Sequence, residues 1–512
     1  MMGKQNRSGV HVNIVAAGLL VVGALFLCLL VGMMAAVMAP GVVVRLVAGP
    51  AAVMGLIGLW VMPKRRDAPD DLLNGMLLLL LVLINLWPTY VIYRFGGLPS
   101  INPTKLTWLA FLLLATFSIL SCQQPMARLT ARCRAHPVLI SSALFLCAWR
   151  VISSATGIEP VGQVLSLASE IISCYLIFFI ALAVLRDQRD VSRLLVALVA
   201  IAIVQASLAS YEAAVKHTLF DRFLVLSAED SAIMLDTLRE KFRDGNYRAQ
   251  GTFEHPMVLA EFMAMLAPVA AAVFLMRTTL LVRWISVAFI PMAFVVILSS
   301  RSRVGIAMLL AAVMMVGALM LLPRGRNVGQ HKANLTLVTA ALLLPLLLVG
   351  GYFAMQEMMS LIAGRSHGEA NSTLSRVLML ERGVPLLQAS PFFGYGNGMG
   401  AVKLGFFDGV RFNIDNYWLG LALDSGVPGL TGFLLVFLGA IWLGLRTYKR
   451  RTDNAGTAAG LMAISLLILL GCKTVLSISS GLTLGYILIA AIIVMADAPG
   501  SAGDADHLGV KR

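Results

Sequence analysis

The residues able to do chemistry gather in three short stretches. The first, SSRSRVG, sets Arg301 and Arg303 in a turn of very few residues between two apolar runs. Two guanidiniums so close together make a pyrophosphate clamp, because arginine offers planar, bidentate donors. Anchoring to anionic lipid headgroups is the other use of the same charges. The second stretch, 355–414, holds Arg376 framed by Leu374, Val377, Leu378 and Leu387 at helical spacing, up to Ser390-Pro391. Asn371-Ser372-Thr373 supplies caps, so the spacing predicts a helix starting there with Arg376 in its first turn. Free N–H groups at a helix start favour anions. Gly394, Gly396, Gly398 and Gly400 then alternate in GYGNGMG. That is a weak phosphate signal, since no GK[ST] follows. Asp415-Asn416 stands where the chain re-enters apolar sequence, and an acid there either caps a helix or acts as a base. The third stretch, YRAQGTFEHP, carries Arg248 and His255. His255 reads either as a satisfied interfacial histidine or as a proton-transfer group. Arg382, Tyr395 and Asn416 are further supporting candidates.

These stretches must be positioned by membrane helices. The chain has 512 residues, 59% hydrophobic and 13% charged, far from the composition of soluble domains. Apolar runs of about 20 residues recur throughout, each long enough to span a bilayer. They lie near 12–37, 41–62, 72–93, 106–121, 137–152, 161–185, 194–215, 256–276, 284–300, 304–322, 334–354, 416–445, 457–475 and 481–496. The expected fold is therefore all-α, a polytopic membrane protein of about 14 helices. Its parts are an amino-terminal bundle over 1–215, an outside loop over 216–255 and central helices over 256–354. A large outside loop over 355–415 and carboxy-terminal helices with a tail over 416–512 complete it.

The net charge of +14 reads as topology rather than nucleic-acid binding. With the amino terminus inside, the basic clusters Lys64–Arg66, Arg128/Arg132/Arg134, Arg186/Arg189/Arg193, Arg277/Arg283, Arg324/Arg326/Lys332 and Arg446–Arg451 all fall in cytoplasmic loops. Both termini are then cytoplasmic. Arginine is disfavoured outside, so Arg301 and Arg303 need a reason to be there. Arg45, Arg150 and Glu170 lie in or near spans, where they snorkel, pair or line a wet cavity. In the first outside loop, Ile233, Leu235, Leu238 and Phe242 predict an amphipathic surface helix ended by Gly245. The six cysteines show no metal spacing and none falls in the long outside loops, so neither a disulfide framework nor a zinc site is expected.

The order RAQGTFEHP, SRS, then Arg376 with PFFGYG, then DNYWL and GVPG, resembles the O-antigen ligase/polymerase superfamily. The motifs cover roughly Tyr247 to Leu430. The resemblance implies a GT-C-like architecture with two long periplasmic loops in a bacterial inner membrane. It implies a metal-independent, inverting glycosyltransferase that uses polyprenyl-pyrophosphate-linked sugars at the outer face, without a cofactor. The family's phosphate-contacting arginines fall on Arg301 and Arg376, and the arginine preceding GTF on Arg248. The ligases' histidine before asparagine falls on Asp415, a departure that points to the polymerase branch.

Under that reading the substrate is an undecaprenyl-pyrophosphate-linked oligosaccharide. Partners are membrane lipids, a chain-length regulator and export proteins, with no nucleic acid. Arginines absorb the leaving group's growing charge, and Asp415 takes the acceptor's proton. Two alternatives stay open: transfer of the glycan to a lipid or protein acceptor, and a transporter of polysaccharide or lipid-linked sugar. A transporter favours internal repeats and midplane charges, and no clear repeat is present.

Overall fold

The computed structural model describes residues 67–88, 102–220, 246–276, 279–322, 367–407 and 412–499, with a few flanking positions. The expected spans at 12–37, 41–62 and 334–354, together with Arg45, Cys28 and Arg411, lie outside the described residues. So do Asp230 and the basic clusters at 64–66 and 324–332.

Each remaining apolar run is a helix. In chain order these are α1 (Asp70–Leu86), α2 (Pro103–Ser121), α3 (Gln123–Ala135), α4 (Pro137–Ala155) and α5 (Pro160–Glu170). A π-helical turn, Ile171–Leu176, joins α5 to α6 (Ile177–Val184), and α7 is Gln188–Val215. Then come α8 (Pro256–Leu275), α9 (Leu280–Ser299), α10 (Arg303–Leu321), α11 (His367–Ala389) and α12 (Met399–Leu404). The chain closes with α13 (Tyr417–Arg450), α14 (Asn454–Cys472) and α15 (Ser480–Asp497). Among the described residues nine helices are long and apolar enough to cross a membrane, counting α5 to α6 as one, and Gly481–Asp497 is a shorter apolar one. The protein is thus a polytopic helical membrane protein.

The boundaries follow from capping chemistry. Pro256 opens α8 at its first position, and His255 Nδ1 accepts the Met257 N–H at 3.0 Å. Ser302 caps α10 through the Gly305 N–H, and Asp453 caps α14 through the Gly456 N–H. The helices α8 and α14 are apolar on every face and buried over almost their whole length. Around them pack α7, α9, α10, α13 and α15, with α4 on the far side of α13. Lipid tails are as apolar as leucine, so close approach of small residues rather than the hydrophobic effect holds such a bundle. At the α13–α14 crossing a side chain on Gly444 would lie 2.6 Å from the Ala459 carbonyl.

Two expectations are corrected. Phe242 does not end an amphipathic helix: Phe242–Arg243 pairs antiparallel with Asn246–Tyr247, and the aromatic rings of Phe242 and Tyr247 pack edge to face across the pair. Cross-strand aromatic contact outweighs helical spacing here. The rest of that predicted helix lies outside the described residues. The helix carrying Arg376 spans His367–Ala389 and so already includes Asn371-Ser372-Thr373 rather than starting after them. Glu369 and Ala370 sustain a helix, so the cap-forming residues are absorbed into it. Arg376 therefore sits in the third turn, away from the free N–H groups of the start.

Candidate functional site

Asp415 and Arg376 meet. Their contact joins the loop helix α11 to the entry of α13, with Arg376 Nε 3.6 Å from Asp415 Oδ2. Both side chains are 31% exposed. The separation makes an ion pair but no hydrogen bond, and Nε itself is buried without a hydrogen-bonding partner among the described residues. The other carboxylate oxygen, Oδ1, accepts from Asn413 Nδ2 at 3.0 Å. The Asp415 N–H faces Met379 Sδ at 3.5 Å, one turn along α11 from Arg376. Asp415 does not cap α13. Asn416 does, accepting the Leu419 N–H at 3.1 Å. The carboxylate is thereby left outside the helix, facing the arginine.

Arg382 lies further along α11, exposed, with its guanidinium 4.9 Å from the Phe406 ring centroid. Tyr395 donates its hydroxyl to the Leu386 carbonyl at 2.9 Å, and Lys403 lies over its ring. Both pack the loop onto itself. Leu423 of α13, with Met379, Leu404, Ile414 and Leu419, forms the small apolar core beneath.

The second group is built on the α9–α10 turn. Arg301 is exposed at its tip with φ 50°, and Arg303 begins α10. Arg248 is 4% exposed, and its Nε donates to the Ser300 carbonyl at 3.0 Å. The Ala249 N–H donates to the Ser299 carbonyl at 3.2 Å. The RAQGTF segment is thus stitched to the turn that presents Arg301. From its other side the segment is gripped by Glu212 of α7, which is fully buried. The Glu212 carboxylate accepts the Gly251 N–H at 2.5 Å, the Gln250 N–H at 3.3 Å and the Tyr247 hydroxyl. A buried carboxylate satisfied by backbone donors is a rigid support.

Lys473, at the end of α14, links the two groups. Its Nζ donates to both Glu261 oxygens at 3.0 Å and to the Ile478 carbonyl at 2.5 Å. Lys473 is 0% and Glu261 2% exposed. Glu261 lies in α8, just after the RAQGTFEHP stretch, while the Lys473 carbonyl accepts the Tyr417 N–H at 3.0 Å, at the entry of α13. One residue thus anchors α8 and the Asp415 end of α13 to the same point.

In the glycine-rich turn the amides of Gly396, Gly398 and Gly400 are taken by Asp424. The Gly398 and Gly400 N–H groups each donate to the Asp424 carboxylate at 2.9 Å. The cause is a break in α13 at Gly426, where φ is 68°. Pro428 has no N–H to give the Asp424 carbonyl, and the Val427 N–H is diverted to Pro391 O at 2.7 Å. The two orphaned carbonyls, Leu423 and Asp424, accept the N–H groups of Tyr395 at 2.8 Å and Gly396 at 2.9 Å instead. Trp149 Nε1 donates to the Ser425 carbonyl at 2.9 Å, and its ring stacks on Phe393. Broken backbone in a membrane helix persists only where every group is satisfied in this way.

Beside the turn, Arg150 is buried and pairs with Glu170 at 2.6 Å while donating to Asn397 Oδ1 at 2.5 Å. Of the intramembrane charges left open by the sequence, Arg150 and Glu170 are therefore a pair, and Arg150 holds the glycine-rich turn through Asn397.

Sequence reasoning missed Glu212, Glu261, Asp424 and Lys473 as supports. The available signal was an ionisable residue inside an apolar run, together with Gly-Val-Pro-Gly punctuation within the α13 run.

No curated protein matches the chain. Residues 287–434 match the family model described as O-antigen ligase. The stretch running from α9 through Arg301, Arg376 and Asp415 to the kinked part of α13 is therefore similar to the O-antigen ligase family, which supports the resemblance to the O-antigen ligase/polymerase superfamily.

Proposed function

We propose that the protein polymerises undecaprenyl-pyrophosphate-linked repeat units at the outer face of the membrane. The observation that carries this reading is the Arg376–Asp415 contact, which sets a partly exposed cation for the donor's leaving group beside a partly exposed carboxylate for the acceptor's proton. Arg301 and Arg303, with Arg248 bracing their turn, are the second cationic group. In the reaction the acceptor's hydroxyl oxygen bonds to the anomeric carbon from the face opposite the pyrophosphate. The carbon–oxygen bond to the pyrophosphate breaks, and the configuration inverts. The proton passes to Asp415, and the electron pair leaves on the lipid pyrophosphate. Arginines fixed before the reaction stabilise that charge without reorganising.

An aspartate where the resembled ligases carry histidine favours chain growth on the carrier. The family description, O-antigen ligase, favours the second reading, in which the same site transfers the glycan to a lipid or protein acceptor. Purified full-length protein supplied with lipid-linked repeat units separates the two, since the first makes longer carrier-linked chains with no other acceptor present. Asp415→Asn is a clean test of the base because Asn416, not Asp415, caps α13. The rate should fall by about 10²–10⁴. A near-normal rate in this variant rejects Asp415 as the base.

A further inference from the structure

The two roles assigned above, anion binder and base, fall on side chains already engaged with each other. We infer that Arg376 is shared in alternation: Asp415 is its counter-ion before the donor arrives, and the donor's pyrophosphate displaces Asp415 from it. This rests on the reading of Arg376 as a donor-binding residue.

Four observations lead there. The contact is 3.6 Å long, and the Arg376 Nε is buried with no hydrogen-bonding partner among the described residues. A structural Arg–carboxylate pair closes to hydrogen-bond distance and satisfies its donors; this one does neither. The Arg376 side chain is 31% exposed, so a ligand reaches it. Asp415 is held independently of the arginine, by Asn413 on Oδ1 and by its backbone N–H on Met379, so it keeps its place when the arginine leaves. Helix capping by Asn416 leaves Oδ2 with no other task among the described residues.

A pyrophosphate offers several anionic oxygens in the geometry the guanidinium fork matches. Two anions on one guanidinium repel each other, so occupancy alternates. The handover frees Asp415 Oδ2 for the acceptor hydroxyl only after the donor is bound. A base uncovered in that order keeps the arginine as its counter-ion until the donor is bound.

The consequence is a variant that binds better and works worse. Undecaprenyl pyrophosphate, titrated into the full-length protein in nanodiscs, should bind Asp415→Asn about two- to fivefold more tightly than wild type. That is the range set by loss of a partly exposed ion pair. The tightening should vanish when Asp415→Asn is combined with Arg376→Gln, compared with Arg376→Gln alone. Asp415→Ser gives the same comparison should the Asn variant fail to fold. Unchanged or weaker binding in Asp415→Asn and Asp415→Ser overturns the alternation, and means the carboxylate orients the arginine. Equal tightening with and without Arg376 also overturns it, because the effect is then general electrostatics. Wild-type affinity in Arg376→Gln removes the donor-binding role itself. Tight binding with normal turnover in Asp415→Asn supports the alternation while removing the base.

Discussion

Lys473→Met is the perturbation that best tests how the site is held. The lysine is fully buried and makes three hydrogen bonds, two to Glu261 at 3.0 Å and one to the Ile478 carbonyl at 2.5 Å. Methionine fills similar space but leaves Glu261 buried without a donor. Breaking one partner of a buried pair costs about 3–5 kcal/mol. Replacing both partners, as Glu261→Leu with Lys473→Met, removes the stranded charge and leaves only the Ile478 carbonyl unpaired, a cost of about 1–3 kcal/mol. The double variant should therefore be more stable than Lys473→Met by about 2 kcal/mol. The assay is thermal unfolding of the purified protein in detergent, following the fraction that stays monodisperse after heating. A Lys473→Met protein as stable as wild type refutes the reasoning. So does a double variant no better than the worse single one.

Two further outcomes follow from the fold. Gly426→Ala should prevent stable insertion, because its Cβ would fall 2.1 Å from the Phe392 carbonyl at a φ of 68°. Val427→Ala at the neighbouring exposed position should accumulate normally, and equal levels of the two variants in membranes contradict the account of the break. Reporter fusions should place Gly368 outside and Arg451 inside. A cytoplasmic Gly368 removes α11, and Arg376 with it, from the outer face.

The existence and position of the described apolar helices were legible in the sequence, while α3 in the basic stretch and the short α12 were not. An apolar run long enough to span a bilayer has to close its own backbone hydrogen bonds, and a helix is the way a single segment does so. Several starts were equally legible: Pro256 at the head of α8 is a local property of the chain. The grouping of Arg301 and Arg303 was visible for the same reason, since two residues apart in a short turn cannot be far apart in space. Local signals failed where a partner outside the segment decided the matter. Phe242 follows a helical pattern but pairs with Tyr247, and α11 runs through its cap residues.

Tertiary structure alone decided what the charged residues inside the apolar runs do. Glu261 and Lys473 are 212 residues apart, and nothing local to either names the other. Their pairing follows from the burial of α8 against α14, which brings the two charges together. The glycine-rich turn is the clearest case. Its alternation is a sequence fact and suggests an anion, and an anion is there, but it is the Asp424 side chain of the same protein. Only the break at Gly426 and Pro428 brings that carboxylate and two unmet carbonyls to the turn, and a break's unpaired groups find their partners in three dimensions. The meeting of Arg376 with Asp415 is of the same kind: residue types made each a candidate, and the packing of α11 on the entry of α13 put them 3.6 Å apart.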